Sequence, residues 1–568
     1  MKTTNASRRE FLRQTMALGV GLGLTKLSRA GNDLPPNRRA NSAGKPNILL
    51  VIADDMGYSD AGCYGGEVAT PNLDRLAAHG IRFTQCYSTG RCWPSRTCLL
   101  TGYYAQQVRM DPPQGPLPAW TRVAPHYLKP LGYRCYHSGK WHLMGAPKAI
   151  ADGGFDHSYL LNDHDRNFNP KNHTLDDRPL PPVPEGTDFY VQTAIASHTI
   201  DFLKEHQAQH KDQPFYCYLA FTSPHFPLQA PQKDIDRYRG RYTEGWDVIR
   251  QRRWKRMKEM GIINCDLAPR EPETIPSWNF SEEKLAQQIG PGEVNRAVAW
   301  EDLTDEQKRF QATKMQIHAA MIDRIDQEIG RVLEQIKAMG NEENTVVIFV
   351  SDNGASAEQI IRGDLNEPSA VPGSAKSYLC LGPGWSSAAN TPFRLHKSWV
   401  HEGGISSPLI VHWPAGIAAR GELRHDPCHF IDLLPTAIDL AGGPGVSPTW
   451  NGQTAPPLPG RTLTRAFARD GSVTHDFLYF HHIGNRAIRV GDWKLVAKGD
   501  KGPWELYDLS TDRCEQKNLA DQHPDRAGEM STQWQTCEDE FRREAGPPPE
   551  KPGPRPKQKA KQKNRKEP

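Results

Sequence analysis

The sequence predicts an α/β protein: one large, mainly parallel sheet sandwiched by helices, followed by a smaller α+β domain. Three observations carry this. Continuous apolar runs such as Ile48–Ala53 fit strands buried on both faces, as a parallel sheet requires. Such runs alternate with helical periodicity, as in Met315–Met339, where Ile322, Ile325, Ile329, Val332 and Ile336 recur at three- and four-residue steps before Gly340. From about residue 450, short strands with tight turns replace that alternation. A chain of 568 residues, 37% hydrophobic, is long enough for two domains.

Residues 1–30 are predicted to be a twin-arginine-type signal peptide. Ser7-Arg8-Arg9-Glu10-Phe11-Leu12 is followed by the apolar run Ala17–Leu24 and the small-residue cleavage pattern Ser28-Arg29-Ala30. The run is too short to span a bilayer, and no other stretch is long and apolar enough, so no transmembrane anchor is expected. These features predict an exported protein, periplasmic or extracellular, with the twin-arginine export machinery as a partner. Residues 31–44, with Pro35-Pro36, are a linker. The formal net charge of +4 arises at the two ends; residues 31–550 carry about −8. The basic balance therefore gives no support to a nucleic-acid surface.

The main domain is predicted over 45–449. Thr70-Pro71 opens a helix whose Leu73, Leu76 and Ala77 share a face and which Gly80 ends. A strand over Ile81–Tyr87 comes next, then Cys92-Trp93-Pro94-Ser95-Arg96. Its Pro-Ser pair suits the cap of a helix beginning near Arg96. Further on come a strand near Tyr133–His137, a helix over Ala194–His210 and a strand over Phe215–Phe221. An insertion occupies 231–314; its basic run Arg250–Arg256 is taken as a solvated helix face. The strand Val346–Val350, an irregular Gly-, Ser- and Ala-rich loop over 354–390 at the mouth of the site, and the strand Pro408–Trp413 complete the domain. The α+β domain is placed at 450–545, with strands Phe477–Phe480, Ala487–Val490 and Trp493–Val496, a hairpin turn at Gly491-Asp492 and a helix over Pro524–Arg543. Residues 546–568, rich in Pro and Lys, are predicted to be a disordered basic tail. The eleven cysteines are scattered, which excludes a small disulfide scaffold and a Cys-x-x-Cys zinc site.

Chemistry gathers at the strand ends. Asp54-Asp55 closes the first strand and Asp352-Asn353 a later one, and ligands of open parallel sheets collect at carboxyl ends. Each pair alone could simply cap the next loop or helix. Two pairs at two strand ends favour a cation, and all-oxygen donors suit Ca²⁺, with Mg²⁺ as the alternative, better than zinc. Gly139-Lys140-Trp141-His142, Ser223-Pro224-His225 and Arg394–Lys397 also follow or precede strands. Lysine, histidine and arginine beside a divalent cation would trap a tetrahedral anion.

Together these segments resemble the type I sulfatases of the alkaline phosphatase superfamily, in particular the bacterial arylsulfatases. The resemblance runs from Pro46 to near Leu519 and is carried by C-x-P-S-R at Cys92–Arg96, G-K-W-H-L at Gly139–Leu143, the stretch Ser223–Pro231, S-D-N-G at Ser351–Gly354, Ala389–Ile417 and the segment near Trp504. It implies a sulfuric ester hydrolase acting on aryl sulfates or sulfated glycans. Cys92 would be oxidised by a formylglycine-generating maturation enzyme to Cα-formylglycine. Calcium would be held by Asp54, Asp55, Asp352, Asn353 and the residue made from Cys92. Arg96 would steady the hydrate, Lys140 and His142 would flank it, and His225 and Lys397 would bind sulfate and protonate the leaving oxygen. In that scheme Asp352 is the base for attack on sulfur, and His142 takes the proton of the second hydroxyl as sulfate is expelled. Two details depart from the family pattern. His142-Leu143-Met144-Gly145 is one residue longer than the usual H-L-G, and Trp93 replaces a small residue. Two other functions share much of this pattern: a phosphonate monoester or phosphodiester hydrolase with the same formylglycine site, and an exported glycan-binding protein with a relic site.

Overall fold

The computed structural model describes residues 44–443 and 447–549. The predicted signal peptide, the linker up to residue 43 and the tail from residue 550 lie outside the described residues. An 11-stranded sheet forms the body. Its strands are β1 (Asn47–Asp54), β2 (Ile81–Tyr87), β3 (Arg134–Gly139), β4 (His157–Leu161), β5 (His173–Leu175), β6 (Arg178–Pro179), β7 (Phe215–Pro224), β8 (Thr345–Ser351), β9 (Ser406–His412), β10 (Glu422–Arg424) and β11 (Cys428–His429). They lie in the order β10-β2-β9-β8-β1-β7-β3-β4-β5-β6, with β11 also paired to β2.

The centre, β8-β1-β7-β3-β4, is parallel. The sheet is mainly parallel, as expected, with antiparallel members: β9 runs antiparallel to both β8 and β2, and β5 and β6 add antiparallel pairs at one edge. The reason for β9 lies in its connection. From the end of β8 the chain wanders through 352–405 without a crossover helix of sufficient length to carry it back, so it re-enters the sheet from the edge at which it left.

Apolar runs make this sheet because each face has its own core. Leu49, Val51, Val347 and Phe349 feed one; Ile48, Leu50, Ile52, Val346, Ile348 and Val350 feed the other. The helices Pro71–Ala78, Val191–Gln209 and Asp305–Ala338 cover the first face. The second face packs against Cys92–Thr101, Leu433–Leu440 and Pro524–Ala545.

Two small strands, β12 (Thr449–Trp450) and β13 (Gln453–Thr454), precede a four-stranded antiparallel sheet of β14 (Leu478–His482), β15 (Asn485–Val490), β16 (Trp493–Ala497) and β17 (Glu505–Asp508). This smaller C-terminal sheet shares the second core through Tyr479, Ile488, Leu495 and Leu506.

The long helix starts at Asp305 rather than near Met315. Thr304 accepts from the Gln307 amide while Gln307 reaches back to the Thr304 amide, a reciprocal cap. In the insertion, the helix Gly245–Glu259 has the expected solvated basic face at Arg252, Lys255 and Arg256, but Arg250 and Arg253 are buried. Residues 246, 249, 250, 253 and 257 point inward at helical steps, and Arg253, 1% exposed, pairs with Asp60 at 2.7 Å and Glu67 at 2.8 Å. The eleven cysteines are buried free thiols; Cys265 and Cys514, far apart in sequence, lie with their sulfurs 2.8 Å apart. Among the described residues no helix is long and apolar enough to cross a membrane.

Candidate active site

Register alone brings the site together. Ala53 of β1 sits opposite Ser351 of β8, Asp54 opposite Pro224 of β7, and Ala220 of β7 opposite Gly139 of β3. Four adjacent parallel strands therefore end on one edge, presenting Lys140, His225, Asp54-Asp55 and Asp352-Asn353. Because β2 pairs antiparallel with β9, and β9 with β8, β2 also ends on this edge, and Cys92 comes shortly after it. The reversed β9 begins there, so the preceding segment brings Lys397. Gly139 permits the tight exit of β3: its φ is +114°, and a Cβ would lie 1.9 Å from the Ala220 carbonyl oxygen.

Cys92 is the first residue of its helix, Cys92–Thr101, which begins four residues before the expected start near Arg96. Pro94 fits because a first-turn residue needs no amide donor. The Ser95 hydroxyl lies 2.8 Å from the Thr89 hydroxyl and accepts from the Thr89 amide. Gly102 stops the helix in the left-handed region, its amide donating to Cys98. Every residue but Trp93 is buried, so the helix has no solvent face. One turn on from Cys92, on the same side, Arg96 donates through Nε to Asp352 at 2.9 Å and through Nη1 to the Lys140 carbonyl at 2.9 Å.

The remaining contacts close a buried cage. Lys140 Nζ lies 2.5 Å from Asp54 and Lys397 Nζ 2.8 Å from Asp55. Asn353 Nδ2 donates to Asp55 at 2.7 Å, and His225 Nε2 stands 3.8 Å from Asp55. The His225 Nδ1 contact to the Phe226 carbonyl, 2.5 Å, places the proton on Nδ1 and leaves Nε2 with its lone pair towards the pocket. Asp55 and His142 hold positive φ, 64° and 56°, costly for residues with a Cβ.

Burial dominates the electrostatics. Burial, then the neighbouring Asp352, raises the Asp54 pKa against the pull of Lys140 and Arg96. Burial likewise raises Asp55 and Asp352. Burial and Lys140 push His142 well below the usual histidine value, and burial and Lys397 do the same to His225, so both imidazoles are neutral. Burial opposes the Lys397 ammonium, but Asp55 and Glu358 outweigh it and raise its pKa.

Arg96, Lys140 and Lys397 match the three carboxylates in charge but leave oxygen atoms of the cluster without partners. Asp54 Oδ1 and Asn353 Oδ1 are buried and find no hydrogen-bond partner among the described residues. Asp54, Asp55 and His225 bring ligand atoms within 4.8 Å of one another. Asp352 Oδ2 is held by Arg96, while Oδ1 carries only a long contact, 3.3 Å, from the Asp55 amide. The oxygen-rich set fits a hard divalent ion.

All ten residues singled out in the sequence border this one edge; nine are buried, and His142 is half-buried at the rim. Arg394 does not join them. It turns towards Glu271, Glu505 and Tyr507, fastening the insertion to the C-terminal sheet. Sequence reasoning missed Arg91 and Glu358, paired at 3.2 Å, and Ser398, whose hydroxyl accepts from Arg91 at 2.7 Å. Arg91 stands beside Cys92 and could have been suspected; Glu358 carries no local pattern.

The chain matches the sulfatase family model over residues 46–443 and the model of the N-sulphoglucosamine sulphohydrolase C-terminal region over 393–537. It is 34% identical to an uncharacterized sulfatase of Schizosaccharomyces pombe, over 89% of this chain and 95% of that one. It is 33% identical to the arylsulfatase of Klebsiella aerogenes, over 70% of this chain and 87% of that one. Among solved structures, that of Ps i-CgsB superposes with a TM-score of 0.61 at 22% identity, covering 87% of this chain and 93% of that chain.

Proposed function

This chain belongs to the sulfatase family and is a sulfatase; from that premise we propose that it hydrolyses sulfate monoesters through a formylglycine made from Cys92, with calcium at the Asp54–Asn353 cluster. The observation that carries this reading is the position of Cys92: the first residue of a helix, inside a buried ring of three cations and three carboxylates. A lone buried cysteine would need none of these neighbours.

Asp54, Asp55, Asp352 and Asn353 would hold the ion, which supplies positive charge against the ester oxygens. The formylglycine supplies, as its hydrate, the attacking hydroxyl and a second hydroxyl for sulfate release. The chain's own residues do the rest. Arg96, fixed by Asp352 and the Lys140 carbonyl, cannot swing away and so orients the residue one turn before it. Lys140 and Lys397, entering from strands at opposite sides of the cluster, offset the charge that grows on the sulfate oxygens. His142 is neutral, and its Nδ1 is buried without a partner, which suits the acceptance of a proton. His225, tethered through Nδ1, presents Nε2 as an acceptor beside Asp55, and Lys397 is the protonated group for the sulfate and the leaving oxygen. Export through a twin-arginine signal at residues 1–30 belongs to the same reading and is supported by the sequence pattern.

The test pairs mass spectrometry of the Cys92 peptide, from protein purified from its native host, with parallel assays on 4-nitrophenyl sulfate and a 4-nitrophenyl phosphonate ester. An aldehyde at Cys92 and faster turnover of the sulfate are expected. An unmodified thiol in that protein, or a phosphonate rate above the sulfate rate, would overturn the proposal.

A further inference from the structure

The pocket is charged throughout, yet exposed apolar side chains stand at its mouth among paired charges. The hairpin of β14 and β15 turns through Ile483-Gly484, with φ of 48° and 76°. Such a two-residue turn favours Asn or Asp before Gly, and a β-branched residue is among the worst placed there. Ile483 occupies the position all the same, 55% exposed, where it adds little to the core. Both flanks of the turn are tied to the site. The His482 ring meets the Trp93 ring at 5.3 Å, and Asn485 Nδ2 donates to the Ser398 carbonyl at 2.8 Å. The tip therefore stands between the neighbour of Cys92 and the neighbour of Lys397.

A second apolar surface comes from the insertion. Trp278, 37% exposed, donates from Nε1 to Glu358 at 2.8 Å, and Glu358 lies 3.5 Å from Lys397. The Arg91 guanidinium sits 5.4 Å from the Trp93 ring and 5.6 Å from the Trp278 ring, joining the two indoles into one wall. Met144, 46% exposed, lies two residues after His142. The charges at this rim cancel within the protein: Arg91 with Glu358 at 3.2 Å and Arg362 with Asp165 at 2.8 Å. Neither pair offers an unpaired cation to a second sulfate or carboxylate, and the net charge of about −8 over residues 31–550 also repels a polyanion.

We propose that Trp93, Trp278 and Ile483 form an apolar collar that selects sulfate monoesters whose leaving group is hydrophobic and uncharged. This rests on the sulfatase reading, since the collar stands on the Lys397 side, where the leaving oxygen departs. A strained, exposed isoleucine is then kept for what it touches in the complex and not for the turn it makes.

Trp93 lies in the maturation motif, so the test uses Ile483→Asn and Trp278→Ala. KM is measured for 4-nitrophenyl sulfate, 4-methylumbelliferyl sulfate and glucosamine 6-sulfate, and thermal melting is recorded for each protein. Calorimetry gives Kd for 4-methylumbelliferyl sulfate on the same proteins carrying Cys92→Ser. Ile483→Asn should melt higher than the wild type while raising KM and Kd for the aryl esters about five-fold. Trp278→Ala should raise them about ten-fold, with glucosamine 6-sulfate far less affected. Equal shifts for all three esters, no shift for the aryl esters, or a wild-type preference for glucosamine 6-sulfate would overturn the collar. If the wild type turned over only phosphonate analogues, the sulfatase reading would fall, and the Kd comparison would still judge the collar.

Discussion

Lys140 and Lys397 each reach a different aspartate of the same pair, so each removes a separate share of charge from the pocket. Replacing either by alanine should lower kcat/KM for an aryl sulfate by about 10²–10³-fold, the size of effect seen when one donor to a developing oxyanion is lost. A change below two-fold would show that the residue does not face the ester. Arg96→Lys keeps the charge but loses the planar fork that bonds Asp352 and the Lys140 carbonyl together, so a similar loss is expected in steady-state assays. At this scale the sequence was informative where residues share a short motif or end a strand, as with Asp54-Asp55 and Ser351–Gly354. It was silent on Glu358 and Trp278, which meet Arg91 across 267 positions in one case and lie in the insertion in the other. Nothing local in the chain encodes such meetings.

Elements were legible where periodicity is strong: Ile81–Tyr87 is a strand with the expected bounds, and Val191–Gln209 and Thr345–Ser351 differ from expectation by a few residues. The direction of β9 was not legible, because an apolar strand looks the same whichever way it runs; only its connection decides. The insertion helix was read correctly for Arg252, Lys255 and Arg256, which are exposed, but not for Arg250 and Arg253, because buried arginines look like solvated ones until their partners appear. Arg253 is held by Asp60 and Glu67, and Asp60 in turn contacts His318 at 3.1 Å. Removing that guanidinium strands two carboxylates, one of them fully buried. Arg253→Ala should therefore destabilise the protein by about 3–5 kcal/mol, read as a large drop in thermal midpoint. An unchanged midpoint would mean that the network contributes little beyond packing.

For the whole molecule, several structural carboxylates are poised the same way. Burial opposes ionisation of Asp60 and Glu402, yet His318 with Arg253, and Lys494 with Arg513, hold them down at about 2. Glu271 is held at about 2 by Arg394 and Lys498 against burial. Their folded pKa values lie below the unfolded ones, so the stability they contribute is present above about pH 4.5 and is lost as pH falls towards 2. Denaturant midpoints should fall steeply over that window; a flat profile down to pH 2 would contradict the assignment. Calcium should raise the thermal midpoint and a chelator lower it, since a ligand at one hundred times its Kd adds about 2.7 kcal/mol to the folded state. No response to either would count against the Asp54–Asn353 cluster as a metal site. The α/β class and the strand-end site were legible from alternation and acid pairs. That the C-terminal sheet shares a core with the large one was not, because shared burial depends on contacts between distant segments.

The return of the chain into β9 has one more consequence. Residues 352–405 leave from β8 and come back into its hydrogen-bonded neighbour, so the sheet itself fixes the distance between the two ends. Lengthening such an excursion costs only a logarithm of its length in chain entropy. The stretch of it between Ile360 and Lys376, which holds none of the charged site residues, is thus free to grow, shrink or be replaced over evolutionary time, while Asp352, Asn353 and Lys397 near its ends stay as they are.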